Sequence, residues 1–249
     1  MKIIGLIPVR LKSRRLKHKA LLKISGYPLI YHTYKRALMS KLLDDTIVCS
    51  DSIKIKKILD KLHCKNVLTS KKHINGTERI AEVSKKIKSD LVVDIQGDEP
   101  LINPNHIDNL IQFHKKNLHF DIVVPSLKIK PEENQHIVKI VSDKKNNVLY
   151  FSRSTVPFFF NKREKYLQKH LSIISFKKEA LLKFSKTKPS HLEKIEGIEL
   201  MRALENNLKI GTFFLKGDSF SVDQLKDYER ALIAVPNDRF TGKYIKKKK

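Results

Sequence analysis

Four short apolar runs in the first hundred residues constrain the fold of this chain more than any other feature. They are "KIIGLIPV" (2–9), "DTIVCS" (45–50), "NVLT" (66–69) and "DLVVDIQ" (90–96). Val- and Ile-rich runs of this length are typical of strands buried on both faces of a parallel sheet. The intervening segments 27–43, 51–62 and 76–88 carry apolar residues at helical spacing. This alternation predicts an α/β fold with a doubly wound, mostly parallel, Rossmann-like sheet.

Residues that commonly begin helices support this assignment. We expect Pro28 in the first turn of the first helix, because a proline there loses no hydrogen bond. Asp51 or Ser52 is expected to cap the second helix.

The pattern changes after residue 120. The runs "DIVVPSLKI" (121–129), "HLSIISF" (170–176) and "KIGTFFLK" (209–216) read as strands, and 136–154 reads as a hairpin turning at "DKKNN". Residues 192–207 predict one amphipathic helix, and 224–235 a closing helix. We therefore expect one domain over residues 1–249, with a mixed α+β subdomain inserted at about 121–215.

The formal net charge of +25 bears on the partners of this protein. Such a charge can indicate nucleic acid, an anionic membrane surface or anionic small molecules. Lysine is scattered along the whole chain, however, and the basic stretches lack the interleaved aromatic residues of nucleic-acid sites. We favour a solvated lysine-rich surface with no nucleic-acid or membrane partner over the alternative of a nucleic-acid-binding protein.

Other features point to a cytoplasmic protein. No apolar run approaches the length of a membrane helix, and the N-terminus has the order of a strand rather than of a secretory signal. Cys49 and Cys64 have no CxxC spacing and are predicted to be reduced, packed thiols.

Two segments follow predicted strands at the edge of the sheet where open α/β folds bind ligands. The first, "RLKSRRLKHK" (10–19), supplies cations, and the second, "QGDEP" (96–100), supplies carboxylates. Arg and Lys bind phosphates, while Mg²⁺ takes one or two carboxylates together with phosphate oxygens. The pair suits a nucleoside triphosphate with a divalent ion, although the loop has no Walker motif. The residues alone leave open an exposed basic loop without a ligand.

These segments also resemble a known family. "RLKSRRLKHKAL", "NGTERIAEV", "VDIQGDEPLI", "LYFSRSTVP", "HLSIISF" and "SVDQLKDYERA" follow the order and spacing of the cytidylyltransferases that activate 3-deoxy-manno-octulosonate (Kdo). The resemblance covers essentially the whole chain. It implies a nucleotide-diphospho-sugar transferase-like fold, a sugar-binding and dimerisation subdomain at about 121–215, and a homodimer.

The reaction that the resemblance implies is attack of the Kdo 2-hydroxyl on the α-phosphate of CTP, with Mg²⁺, giving CMP-Kdo and diphosphate for lipopolysaccharide synthesis. By position, the resemblance assigns catalysis to Arg10, Arg15, Lys19 and Asp98. It assigns nucleotide binding to Arg10, Ser13, Gly76, Thr77 and Arg79, and sugar binding to Gln96, Arg153, His170 and Glu199. It assigns the metal to Asp98 and Asp223.

Each of these residues also has a purely structural interpretation. Asp98 is a residue type that favours the turn in "GDEP", and Asp223 is a suitable N-cap for the last helix. Thr77 and the early glutamates of its segment are typical of a helix start. His170 is consistent with a hydrogen-bonded histidine at the end of a strand.

Several positions depart from the family pattern. Lys17, His18 and Ala20 stand where the family usually has Pro, Gly and Pro, while Ile174 and Leu200 replace polar residues of the expected sugar pocket. Loss of polar groups from a pocket alters discrimination between substrates. Two alternatives follow: a related acceptor, such as 8-amino-Kdo or another keto-sugar acid, and an inactive relative with an altered loop.

Overall fold

The computed structural model describes residues 1–13, 15–161, 164–218 and 220–245. The chain divides into two compact units, one of Met1–Asn109 with the described part of Ser219–Lys249, and one of Leu110–Asp218. The subdomain predicted at about 121–215 lies inside the second unit. That the two units work as one nucleotidyltransferase domain stays a prediction.

A parallel sheet forms the centre of the first unit. Its strands, together with those of a small hairpin, are β1 (Ile3–Val9), β2 (Lys23–Ile24), β3 (Tyr27–Pro28), β4 (Asp45–Ser50), β5 (Asn66–Leu68) and β6 (Leu91–Ile95). Strands β5, β4, β1 and β6 lie side by side in that order, and all their pairings are parallel. Every residue of β1 is buried. The four strands predicted from apolar runs are confirmed. β1 and β6 are buried throughout, as expected of central parallel strands, whereas β5 ends the row and is partly exposed.

The helices are, in chain order, α1 (Leu29–Ala37), α2 (Ile53–Lys61), α3 (Gly76–Lys86), α4 (Pro104–Lys116), α5 (Lys178–Phe184), α6 (His191–Glu196), α7 (Leu200–Glu205) and α8 (Leu225–Asn237). Ser52 caps α2 by accepting the Ile55 N–H. The prediction for Pro28 is wrong, since Pro28 has extended dihedrals and precedes the first turn of α1. It pairs with Lys23 in the β2–β3 hairpin, which fixes its ψ angle.

Helix α8 and the segment before it pack against β2 and α1 within the first unit. Val222, Ala231 and Val235 form a buried cluster with Ile24 of β2 and Leu29 of α1. Burial of each Val, Ile or Leu side chain of this cluster contributes about 1.5–3 kcal/mol. The cluster thereby fixes the segment that precedes α8 against the β2–β3 hairpin.

The second unit has the mixed architecture that the sequence predicts. Its strands are β7 (Ile122–Ile129), β8 (Lys139–Ser142), β9 (Val148–Ser152), β10 (Leu167–His170), β11 (Ile173–Lys177) and β12 (Ile210–Leu215). Strand β12 pairs in parallel with β7, while β10 and β11 pair with it antiparallel. Strands β8 and β9 form the predicted hairpin. The α/β class, with a mostly parallel sheet and a mixed α+β insertion, is confirmed.

The run "HLSIISF" forms parts of two strands rather than one. Leu167 pairs with Ile129 and Ser175 with Val123, so eight steps along β10 and β11 oppose six along β7. The two extra residues form a bulge, which a period-two pattern does not indicate.

The single helix predicted at 192–207 is wrong. It is two helices, α6 and α7, separated at Gly197, which adopts the left-handed conformation with φ 62° and donates its N–H to the Glu193 carbonyl. Glycine at this position is the commonest way to end a helix.

Cys49 and Cys64 are buried free thiols. Within the described residues, no helix combines the length and the apolar character needed to cross a membrane.

Candidate active site

The loop that follows β1 begins with an ordered connection to two neighbouring elements. The carboxylate of Asp51, after β4, accepts hydrogen bonds from the Leu11 N–H at 3.2 Å and from the Arg79 guanidinium at 3.3 Å. Arg79 is buried and also donates to Thr69 Oγ1 at 2.6 Å. The structure therefore engages Arg79 in holding the start of the loop through Asp51. Sequence reasoning considered Asp51 only as a helix cap and missed this role.

Arg10 leaves the end of β1 as an exposed side chain, and Ser13 is half-buried. Arg14, in the same loop, lies outside the described residues.

His18 is one of the loop positions that depart from the family pattern, and its backbone conformation is defined. Its φ of 54° and ψ of 33° are left-handed, immediately before the 3₁₀ turn Lys19–Leu21. Glycine occupies this conformation without steric cost, whereas other residues pay roughly 1–2 kcal/mol. His18 therefore adopts a backbone conformation that favours glycine, the residue that the family resemblance leads one to expect here, and the following turn places Lys19 in a largely buried position.

Lys19 contacts carboxylates from two distant segments of the first unit. Its Nζ lies 2.5 Å from Asp98 Oδ2 and 3.0 Å from Asp223 Oδ1, residues 79 and 204 positions away in sequence. Arg15 Nη2 lies 2.8 Å from the same Asp223 oxygen. Four residues predicted to handle the triphosphate and the metal are thus brought together.

The electrostatics of the cluster are those of a partly buried ion pair. Burial alone would lower the pKa of Lys19, but the charges of Asp98 and Asp223 outweigh it and raise that pKa. Burial would raise the pKa of Asp223, and Lys19 and Arg15 outweigh it in the opposite direction. Lys19 therefore stays protonated and Asp223 ionised at neutral pH, which gives the site fixed charges of both signs.

Two backbone features hold the carboxylates in place. Asp98 follows β6 after Gly97, whose Cα faces β1 so closely that a Cβ would lie 2.7 Å from Val9 Cγ1. The Val222 N–H donates to the Asp98 carbonyl at 2.9 Å, which fixes the chain just before Asp223. The N-cap interpretation of Asp223 is not realised, because Gln224 is the N-cap of α8.

The start of α3 lies against the end of β1. A Cβ on Gly76 would lie 3.1 Å from Pro8 Cγ, so the absence of a side chain permits this approach. Asn75 caps the helix by accepting the Glu78 N–H, and Thr77 is buried in the first turn. Gly76 and Thr77 therefore adopt the helix-start structure that their sequence indicates, and their contact with a nucleotide stays a prediction.

The carboxylate pair fits Mg²⁺ in one particular way. Oxygens of Asp98 and Asp223 converge on a single cation, the Lys19 ammonium. Among the described residues, no group of three or more His, Cys, Asp or Glu could hold a metal. Mg²⁺ commonly uses one or two carboxylates and completes its shell with water and substrate phosphates. The residues therefore suit a metal that arrives with a phosphate ligand rather than one held by protein alone.

The predicted sugar-binding residues fall in both units, and Gln96 is in the first. Its side-chain amide donates to Asp94 Oδ2 at 3.0 Å.

Arg153 lies beside a cleft of about 990 Å³ within the second unit. Its guanidinium donates to the carbonyls of Gln135 at 2.8 Å, Glu196 at 2.8 Å and Gly197 at 3.1 Å. These bonds use three of the five N–H groups of an arginine and leave its charge without a carboxylate partner among them. The break between α6 and α7 supplies two of the carbonyls, so the helix that sequence analysis predicted could not have formed this contact.

His170 and Glu199 are half-buried in the second unit. Burial, with Lys169 next to it, lowers the pKa of His170 to about 4, so its ring is neutral at pH 7. Ile174 and Leu200 are buried. Their apolar character is thus explained by packing and does not by itself indicate an altered pocket.

Known proteins resemble this chain over most of its length. The family described as Cytidylyltransferase matches residues 4–210. A "3-deoxy-manno-octulosonate cytidylyltransferase" of Pelodictyon phaeoclathratiforme is 39% identical, covering 92% of this chain and 96% of the relative. A protein of the same name from Fusobacterium nucleatum is 38% identical, covering 93% of this chain and 96% of the relative.

The structural comparison agrees. A CMP:2-keto-3-deoxy-manno-octonic acid synthetase solved with CTP superposes with a TM-score of 0.89 at 29% identity, covering 93% of this chain and 97% of the other. A glucose-1-phosphate thymidylyltransferase from Bacillus anthracis, at 15% identity and a TM-score of 0.67, shares the fold. This chain belongs to the cytidylyltransferase family.

Proposed function

We propose that this protein transfers the cytidylyl group of CTP to Kdo, giving CMP-Kdo and diphosphate. The observation that carries the proposal is the contact of one lysine, Lys19, with both carboxylates of the cluster, in a chain that matches Kdo cytidylyltransferases over more than nine-tenths of its length. A loop of cations next to paired carboxylates is the arrangement that a triphosphate and its metal require.

The chain supplies charge and position rather than a covalent intermediate. The Kdo 2-hydroxyl loses its proton to solvent as its oxygen forms a bond to the α-phosphorus of CTP. The bond from that phosphorus to the bridging oxygen breaks, and diphosphate leaves. Arg10, Arg15 and Lys19 neutralise the negative charge that builds on the phosphates, an effect that is largest where the donors are held in advance. Mg²⁺ held by Asp98 and Asp223 adds charge neutralisation when bound.

The acceptor is bound by the predicted sugar residues. Arg153 offers its guanidinium to the sugar carboxylate, with its orientation set by the Gln135, Glu196 and Gly197 carbonyls. Neutral His170 offers a hydrogen bond rather than a charge. Kdo is favoured over a related acid because the relatives named above are Kdo enzymes and because packing accounts for Ile174.

The proposal also includes the oligomeric state and the location of the protein. It is a homodimer in the cytoplasm, and its product is used for lipopolysaccharide synthesis. Phe158 and Phe160 are 83% and 86% exposed in the second unit, and aromatic residues are enriched at protein interfaces, which supports a dimer. The need for CTP supports a cytoplasmic location.

Diphosphate release from CTP, Kdo and Mg²⁺ tests the proposal. We expect activity with the wild-type protein, and a loss of roughly 10²-fold or more in kcat for Asp98→Asn, which removes charge while keeping shape. Asp60→Asn is a matched control, since Asp60 is an exposed partner of Lys56 on α2. An Asp98→Asn variant as active as Asp60→Asn would remove Asp98 from the site, and faster turnover of another keto-sugar acid would change the acceptor.

A further inference from the structure

The Lys19 ammonium occupies the position between the two carboxylates that a metal would need. Its Nζ is 2.5 Å from Asp98 and 3.0 Å from Asp223, and the side chain is only 17% exposed. Both contacts are to carboxylates that the proposed function assigns to Mg²⁺. The two cations therefore compete for the same pair of carboxylates.

The charges of the cluster disfavour contact of Lys19 and a divalent metal ion with the two carboxylates at the same time. The cluster of Arg15, Lys19, Asp98 and Asp223 carries two positive and two negative charges, so it is already neutral. A divalent ion entering beside an ammonium at contact distance would face strong repulsion in a partly buried site. Departure of Lys19 from the carboxylates therefore favours binding of the metal.

The basic loop, once it holds a triphosphate, provides a second position for the Lys19 ammonium. Lysine places its charge on a flexible four-carbon stem, unlike the planar fork of arginine. Lys19 begins a short 3₁₀ turn at the end of the basic loop that we assign to the triphosphate. Phosphate oxygens brought to that loop would accept the ammonium as it leaves the carboxylates.

We propose that Lys19 is a built-in counter-cation that keeps the metal ligands occupied until the nucleotide draws it away. Metal affinity in the absence of nucleotide is then held low, and CTP raises it by taking Lys19 onto its phosphates. Because linkage is reciprocal, the metal raises the affinity for CTP by the same factor. The inference rests on the metal role in the proposed function, but it concerns binding and can be tested without turnover.

The test is Mn²⁺ binding without nucleotide or sugar, measured by electron paramagnetic resonance. We expect Lys19→Met to bind Mn²⁺ about tenfold or more tightly than the wild-type protein, because binding no longer displaces a cation. Lys17→Met is the matched control, as it removes the same charge from an exposed position of the same loop. Equal affinities for Lys19→Met and Lys17→Met, or a loss of Mn²⁺ binding in Lys19→Met, would overturn the proposal.

A measurement on the wild-type protein covers the case in which Lys19→Met does not fold. Acetylation of lysines, followed by peptide mass spectrometry, reports how accessible each ammonium is. Added Mg²⁺ should increase the labelling rate of Lys19 relative to Lys17, and an unchanged ratio at saturating Mg²⁺ would contradict the exchange. Absence of diphosphate release with an intact Mn²⁺ difference would reject the proposed function and keep this inference.

Discussion

Gly97→Ala tests how the fold positions Asp98. Gly97 is buried against strand β1, directly before Asp98. A Cβ at this position would lie 2.7 Å from Val9 Cγ1, 3.0 Å from the Pro8 carbonyl oxygen and 3.2 Å from Ile30 Cδ1. Pro8 and Val9 belong to β1 and pair with Cys49 and Ser50 of β4, so the Pro8 carbonyl oxygen cannot move away without shifting the sheet. We expect Gly97→Ala to destabilise the protein and to displace Asp98.

The expected magnitude follows from two opposing effects. Overpacking of a buried position costs about 1–3 kcal/mol. Alanine reduces the entropy of the unfolded chain, which offsets roughly 0.4–1 kcal/mol. The net loss in the free energy of unfolding is therefore about 1–2 kcal/mol, or a melting temperature lowered by roughly 2–8 °C for a chain of this size. Diphosphate release should fall as well, since the carboxylate of the next residue moves.

Urea unfolding followed by circular dichroism measures this loss, because the chain has no tryptophan for fluorescence. Gly242→Ala is the control, since no heavy atom lies within 4 Å of a Cβ at that exposed glycine. If Gly97→Ala is as stable as Gly242→Ala and equally active, the close packing that we describe does not position Asp98.

Two further predictions concern the stability of the second unit. Arg202 is fully buried and binds Glu193 through two N–H groups at 2.7 Å. Arg202→Met should therefore lower the free energy of unfolding in urea by about 3–5 kcal/mol, against less than about 1 kcal/mol for Lys56→Met in the surface pair with Asp60. Similar losses for the two variants would contradict this prediction. Burial lowers the pKa of His114 to about 4 from 6.5, so the stability it contributes is complete above pH 6.5 and falls by about 3 kcal/mol as the pH drops to 4. Unfolding measured across this range should show a smaller loss for His114→Gln than for His136→Gln, and parallel curves would contradict the assignment.

The parallel core could be predicted from the sequence because its strands β1, β4 and β6 are almost wholly buried. An unbroken run such as "LVVDI" has few alternatives once helical segments flank it. The break at Gly197 was missed because the apolar spacing continues through it, and only the left-handed backbone ends the helix. The bulge between β10 and β11 was missed because it is set by pairing with β7, which the local pattern does not encode.

The site was predictable in part for a similar reason. Lys19 and Asp98 follow adjacent strands β1 and β6, and parallel strands bring their carboxyl ends to one edge. Asp223 comes from far along the chain, and only the resemblance to a known family indicated its place beside them. Its position depends on the packing of α8 and on the Val222 hydrogen bond, neither of which leaves a local signal.

A crystal structure with CTP and Mn²⁺ tests the central claim most directly, because Mn²⁺ can be located by its anomalous scattering. We predict an anomalous peak in contact with oxygens of Asp98 and Asp223, with the Lys19 ammonium moved onto the phosphates. A metal bound elsewhere, or Lys19 still bridging the two carboxylates beside bound CTP, would contradict the account.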